Sequence, residues 1–286
     1  MSNDGKAGLN ASGSQDSSSN RKYTPMSQRF TGSNGDAYRW TDSDGFERFP
    51  REQPMGSLVD AVIAALKQIK ADNPTSVPAH SRDHIALVIF AQNYKTITSN
   101  PSSASNPFTY DYDACMLLAS QLQAECQDMG ASTNTNGGLS QALSSLNTYS
   151  RNYANRVTVL FTDGVPNSGS TPSPLSSSQM VDMDGDGTLD TNYYYSNTTA
   201  NKYKNAALVA AQQLANARTV VHTVCAGGGR DTDITKRMSV LSRGIYRDSG
   251  SNLHEYASNL INDIKDLTNA KVPKMTLLGP SDTETN

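Results

Sequence analysis

The chain has 286 residues, a net charge of −3 and 18% charged residues. That balance excludes a strongly basic nucleic-acid binder, and no stretch approaches the roughly 20 consecutive apolar residues of a membrane helix. Three cysteines (Cys115, Cys126, Cys225) without a CxxC pair exclude a disulfide scaffold or a zinc ribbon. Cys115 and Cys126 share one predicted helix at a spacing that favours opposite faces, which counts against a disulfide between them.

Residues 1–54 are rich in Ser, Asn, Gly and Asp and poor in aliphatics. Such a segment buries too little apolar surface to offset its ordering entropy, so it reads as irregular, with Tyr38, Trp40, Phe46 and Phe49 available to tack it onto a body. A folded domain is expected over 55–270. It opens with Leu58, Val59, Val62, Ile63, Leu66 and Ile69 at helical spacing. His84–Ala91 (HIALVIFA) is a near-continuous apolar run, the pattern of a strand buried on both faces. Tyr94–Ser99 alternates and predicts an antiparallel edge strand beside it. Helices are expected over Asp111–Met129 and Gly137–Leu146. Arg156–Thr162 (RVTVLFT) is a second buried strand and runs directly into Asp163-Gly164. A Ser-, Pro-, Asp- and Tyr-rich insertion fills 168–200. Then come a helix over Asn201–Ala217, a third buried strand over Thr219–Cys225, a short helix over Ile234–Leu241, a short strand at Gly244–Tyr246 and a last helix from Leu253 to Leu267. Residues 271–286 read as a tail.

Buried strands alternating with helices predict an α/β fold: a doubly wound, mostly parallel sheet with helices on both faces. Ligands in such folds bind at the carboxyl ends of the strands. Two loops there carry unusual chemistry. One is Ser132-Thr133-Asn134-Thr135-Asn136-Gly137-Gly138-Leu139, opening a helix; the other is Phe161-Thr162-Asp163-Gly164-Val165-Pro166-Asn167, closing a strand. A carboxylate at a strand end and a hydroxyl at a helix start suit a hard divalent cation such as Mg²⁺ or Mn²⁺. A plain strand-end turn at Asp163 and a plain helix cap at Thr133 are the competing readings.

In these two motifs, and in their order along the chain, the sequence resembles the von Willebrand factor type A (VWA) domains over roughly Met55 to Leu267. The resemblance implies a Rossmann-like fold and a metal-ion-dependent adhesion site. Thr133 fits that site's threonine and Asp163 its strand-ending aspartate. The family's first strand and its Asp-x-Ser-x-Ser loop are not evident here. In one reading Asn10, Ser12 and Ser14 are a degenerate copy of that loop. In the other, preferred, Met1 is the methionine of the family's Asp-x-Ser-Gly-Ser-Met, and the true start lies further upstream.

The insertion carries its own signal, Asp182-Met183-Asp184-Gly185-Asp186-Gly187-Thr188-Leu189-Asp190. Oxygens at alternate positions fit a calcium-loop template, with Asp182, Asp184 and Asp186 ligating by side chain, Thr188 by its carbonyl and Asp190 directly or through water. The bidentate Glu of a full EF-hand loop is absent, since Tyr193 stands there. A solvated acidic turn is the bland alternative. His80, His84, His222 and His254 show no metal spacing, Gly227-Gly228-Gly229 is followed by no P-loop Lys, and no G-x-S-x-G supports a nucleophile elbow. A binding module rather than an enzyme is therefore expected, with a partner protein completing the metal shell through an acidic residue. The Ser/Asn-rich character, the acidic loop and the long insertion also resemble bacterial VWA proteins of the TadE/TadG pilus-assembly group. That similarity implies an extracellular or envelope location, with any membrane anchor upstream of Met1. A pilus or surface scaffold without a working metal site is the alternative.

Overall fold

The computed structural model describes residues 40–41, 47–48, 55–98, 100, 103, 105–121, 132–170, 201–251 and 253–269. Two short strands, β1 (Trp40–Thr41) and β2 (Glu47–Arg48), pair antiparallel ahead of the main body.

Helix α1 (Met55–Asp72) buries two faces at once. Val59, Ile63 and Leu66 pack against Cys115, Met116 and Ala119 of α2 (Tyr112–Gln121). Ala61 and Ala65 pack against Leu260, Ile264 and Leu267 of α6 (Leu253–Asn269). The small alanines let α6 lie close, while the long aliphatics fill the space toward α2. Asn73 stops α1: its Nδ2 donates to the Ile69 carbonyl at 2.8 Å and to Asp83 Oδ2 at 2.9 Å, and its Oδ1 accepts from the Asp83 N–H at 2.9 Å. Pro74 follows and cannot continue the helix.

The expected strand over His84–Ala91 is shorter. Only β3 (Val88–Phe90) is regular, in an antiparallel hairpin with β4 (Tyr94–Thr96), while Ile85 makes a lone bridge to Thr109. All three β3 residues are half-buried rather than buried, since among the described residues β3 pairs with a strand on one edge only. The expectation of two-sided burial is thus corrected for this strand.

Beyond α3 (Thr135–Tyr149), β5 (Arg156–Thr162), β6 (Thr219–Cys225) and β7 (Tyr246–Asp248) form a parallel three-stranded sheet in that spatial order. Its register runs from Arg156↔Thr219 to Thr162↔Cys225, then Thr223↔Tyr246 to Cys225↔Asp248. β7 lies two residues beyond the predicted Gly244–Tyr246, because Gly244 is needed elsewhere: a Cβ there would overlap the Val221 carbonyl. β6, flanked on both sides, is buried along nearly its whole length.

The crossover helices α4 (Lys202–Asn216) and α5 (Thr232–Leu241) join α3 on one side of the sheet. There Leu139, Leu208, Leu214, Ile234 and Met238 close over Leu160 and Val221, with Phe90 of the hairpin packed against the same cluster. On the opposite side α1 and α6 cover Val159, Phe161 and Val224. Helices on both faces of a mostly parallel arrangement make this a doubly wound α/β fold. No described helix is long and apolar enough to cross a membrane. Cys115 and Cys225 are buried free thiols, and burial pushes the Cys115 thiol up to about 12. Cys126 lies outside the described residues.

Candidate metal centre

β5 ends at Thr162, whose hydroxyl accepts the Gly164 N–H at 3.3 Å and donates to the Gly164 carbonyl at 3.1 Å. This tight turn leaves Asp163 at the carboxyl end of the sheet. The loop before α3 arrives at the same place from across the fold. Asn134 is its hub, almost fully buried. The Asn134 N–H donates to the Ala91 carbonyl at 2.7 Å, and its Nδ2 donates to the Gln92 carbonyl at 3.1 Å, which fixes the loop to the end of β3. Its Oδ1 accepts the Gly137 N–H at 2.8 Å and so caps α3. The cap of α3 is thus Asn134, not Thr133, so the competing reading of Thr133 as a helix cap fails.

Thr133 is left free for another task and is tied to the Asp163 loop. Its N–H donates to Asn167 Oδ1 at 2.7 Å, and its carbonyl accepts the Asn167 N–H at 3.0 Å. Thr133 Oγ1 stands 3.0 Å from where a Cβ of Gly164 would sit, so a glycine beside Asp163 is what admits the threonine. Gly169, at φ +127°, packs on Asn134, where a Cβ would press against Oδ1. The third loop comes from the end of β6: a Cβ on Gly229 would stand 3.2 Å from the Asp163 carbonyl. Three loops at the carboxyl ends of the strands therefore converge on Asp163, each through a glycine or an asparagine.

Burial raises the Asp163 carboxyl above the usual carboxylate range, against a smaller lowering from its own backbone N–H. The residue is nonetheless exposed to solvent, at the carboxyl end of the sheet. Among the described residues no cationic side chain forms an ion pair with Asp163. On the loop after β6, Arg230 donates to both carboxylate oxygens of Asp248, at 2.7 and 3.1 Å. The Asp163 carboxylate and the Thr133 hydroxyl, on two loops that meet at Gly164, are both hard oxygen donors of the kind a small divalent cation takes. Among the described residues no group of three or more His, Cys, Asp and Glu side chains gathers to hold a metal.

The structure therefore brings together two of the residues expected at the site, Thr133 and Asp163. Asn10, Ser12, Ser14 and the calcium-loop residues Asp182, Asp184, Asp186, Thr188 and Asp190 lie outside the described residues. Sequence reasoning missed Asn134 and Asn167, which position the site. The signal for Asn134 was present, since an asparagine three residues before Gly137 is a standard cap. Nothing local marks Asn167, because its partner is 34 residues away.

No protein-family profile matches the chain, and no curated protein does. Among solved structures it is similar to proximal thread matrix protein 1 from the mussel byssus, at 14% identity and a TM-score of 0.47 over 75% of this chain and 41% of that one. A form of that protein with a zinc-occupied MIDAS motif gives 13% and 0.48. A von Willebrand factor type A protein from Catenulispora acidiphila gives 13% and 0.48, over 75% of this chain and 37% of that one. The conserved hypothetical protein BatB from Bacteroides thetaiotaomicron gives 11% and 0.46, over 76% and 91%. The chain spans about two-fifths of the length of the first of these.

Proposed function

We propose that this chain is a VWA-type, metal-assisted protein-binding module of a bacterial surface or pilus-assembly protein, and not an enzyme. The observation that carries the reading is the meeting of the Thr133 loop and the Asp163 loop, with Thr133 Oγ1 against Gly164 and its backbone bonded to Asn167, built from positions 30 residues apart in sequence. Mg²⁺ or Mn²⁺ held there keeps a coordination position open for an acidic side chain of the partner. The Asp-rich loop of the insertion holds Ca²⁺ in the same proposal, which suits an extracellular or envelope setting where calcium is plentiful. Neither role involves nucleic acid.

A second reading is favoured by the sparse donor set: with one carboxylate among the described residues, the domain serves as an envelope scaffold without a working ion. Titration with Mn²⁺, read by electron spin resonance, separates the two. Saturable binding that weakens at least tenfold in Asp163→Ala and in Thr133→Val supports the module. Binding that is absent, or indifferent to both changes, leaves the scaffold. A parallel Ca²⁺ titration read by limited proteolysis between Ser168 and Asn201 checks the loop, which drops out if millimolar Ca²⁺ leaves the cleavage pattern unchanged.

A further inference from the structure

Among the described residues the strands of the main body form two sheet pieces, the hairpin β3–β4 and the parallel β5–β6–β7, and α3 packs against both. The apolar stripe of α3, Leu139, Leu143 and Leu146, closes over the core with Phe90 and Leu160. A second stripe, Gln141, Ser144, Ser145 and Thr148, keeps the spacing of one helix face and is polar throughout. It looks toward Thr96 at the end of β4 and Thr98 just beyond, two residues that strand alternation puts on one side. Between the stripe and these threonines lies a pocket of about 360 Å³, completed by Ser105, Pro107 and Tyr149. A helix face turned to a strand is ordinarily apolar, so this polar stripe departs locally from the folding pattern, as functional sites do.

The polar groups of the pocket have hydrogen-bonding capacity to spare. Thr98 and Ser145 are each only 5% exposed, and a hydroxyl buried without a full set of partners is costly. Thr98 Oγ1 accepts the Leu87 N–H at 2.9 Å, and Thr96 Oγ1 accepts from Gln141 Nε2 at 2.9 Å. Both threonines therefore keep a proton to donate, and Gln141 keeps its Oε1 to accept. Ser120, Ser239 and Thr268, on other helices, donate to the carbonyl three residues back. Ser145 does not. Among the described residues its hydroxyl makes no hydrogen bond within the chain, and neither do those of Ser144, Thr148 and Tyr149. The lining contains no Asp, Glu, Lys, Arg or His among the described residues.

We infer that this pocket binds a neutral carbohydrate of one or two sugar rings. The class follows from the lining. Its hydroxyls both donate and accept, as the hydroxyls of a sugar do. Without a charged side chain on the wall, a phosphate, a uronic acid or an amino sugar would lose hydration and gain no counter-charge. Pro107 and the Tyr149 ring supply apolar surface for the C–H face of a sugar. The volume falls within the range of about 300–1,000 Å³ typical of small-molecule sites. The pocket is separate from the candidate metal centre: at about 1.5 Å per residue, Ser145 stands about 15 Å along α3 from Thr135 at its start.

Titration of the full chain with sugars, read by amide NMR shifts in a buffer containing EDTA, tests the inference. The probes are methyl α-glucoside, methyl β-galactoside, N-acetylglucosamine and maltose, with glucuronate and glucosamine as charged controls. At least one neutral probe is expected to give saturable shifts at Thr98, Gln141 and Ser145, half-complete below about 10 mM. The two charged controls bind at least tenfold more weakly. Ser145→Ala and Gln141→Leu each weaken the binding about three- to tenfold, the loss of one hydrogen bond. Thr148→Val, at an exposed position on the rim, does the same without touching the core. No saturable shift at these residues with any neutral probe up to about 50 mM overturns the proposal. Equal binding of the charged controls overturns it too, as does binding indifferent to all three substitutions. EDTA removes divalent ions from the experiment, so failure here and failure of Mn²⁺ binding are distinguishable.

Discussion

At Asp163 burial favours the protonated carboxyl, so its proton and a bound cation compete for the same oxygens. The sign of the pH effect follows. A raised folded pKa means that the charged form is penalised in the native state; the penalty is present above that pKa and disappears as the pH falls below the ordinary carboxylate value of about 3.9. Without metal, acidification through this window therefore stabilises the fold at this residue. Asp248 behaves oppositely. Burial alone would lift it, but the two hydrogen bonds from Arg230 and the guanidinium charge hold its pKa below the ordinary range. It contributes stability above the unfolded value, which is lost as the pH falls through the folded one. For the metal, one competing proton predicts that the apparent Mn²⁺ affinity falls about tenfold per pH unit below the Asp163 pKa, with the break above the pH at which an ordinary aspartate titrates. Calorimetric titration at a series of pH values reads the slope. A break at or below the ordinary aspartate value would detach the raised pKa from the metal site.

At the scale of elements, the positions that fix this fold are often those where a side chain is missing. Gly244 turns the chain from α5 into β7 directly against the Val221 carbonyl. Gly244→Ala forces that backbone apart, and overpacking of this kind costs about 3 kcal/mol. Urea denaturation is expected to show this loss with an unchanged slope; a loss below about 0.5 kcal/mol, the level of an ordinary surface change, would mean the turn relaxes freely. Gly138 plays the same part for the hairpin, since a Cβ there would stand 2.8 Å from the Phe90 ring. Much of this level was legible in the sequence. The helical stripe from Leu58 to Ile69 and the apolar runs at Arg156 and Thr219 state their periods plainly, and the observed β5 and β6 match the expected bounds. The HIALVIFA run was over-read because composition reports how apolar a strand is, not how many neighbours it has. Within the site, Thr133 and Asp163 were legible through a motif. Asn167 and the close approach of Gly229 were not, because both act on residues far away in sequence.

At the scale of the whole molecule, α1 decides whether the two sheet pieces unfold together. Its aliphatic face holds α2 and the approach to β3, and its alanine face holds α6 and, through it, β5 and β6. Among the described residues no strand pairing connects the pieces, and the contacts that join them run through the shared helices α1 and α3. Ile63 is at the centre of this arrangement, fully buried on the face toward Cys115 and Met116. Ile63→Ala removes a large buried side chain packed with Cys115, Met116 and Ala119, and such changes cost about 2–5 kcal/mol. If α1 couples the pieces, this loss appears equally in both: hydrogen exchange by mass spectrometry is expected to show segments 85–98 and 156–162 losing protection together, in one urea transition. Were the hairpin segment to open alone while 156–162 kept its protection, α1 would belong to the hairpin side only. α3, through Leu139 and Leu160, would then carry what connection the two pieces have.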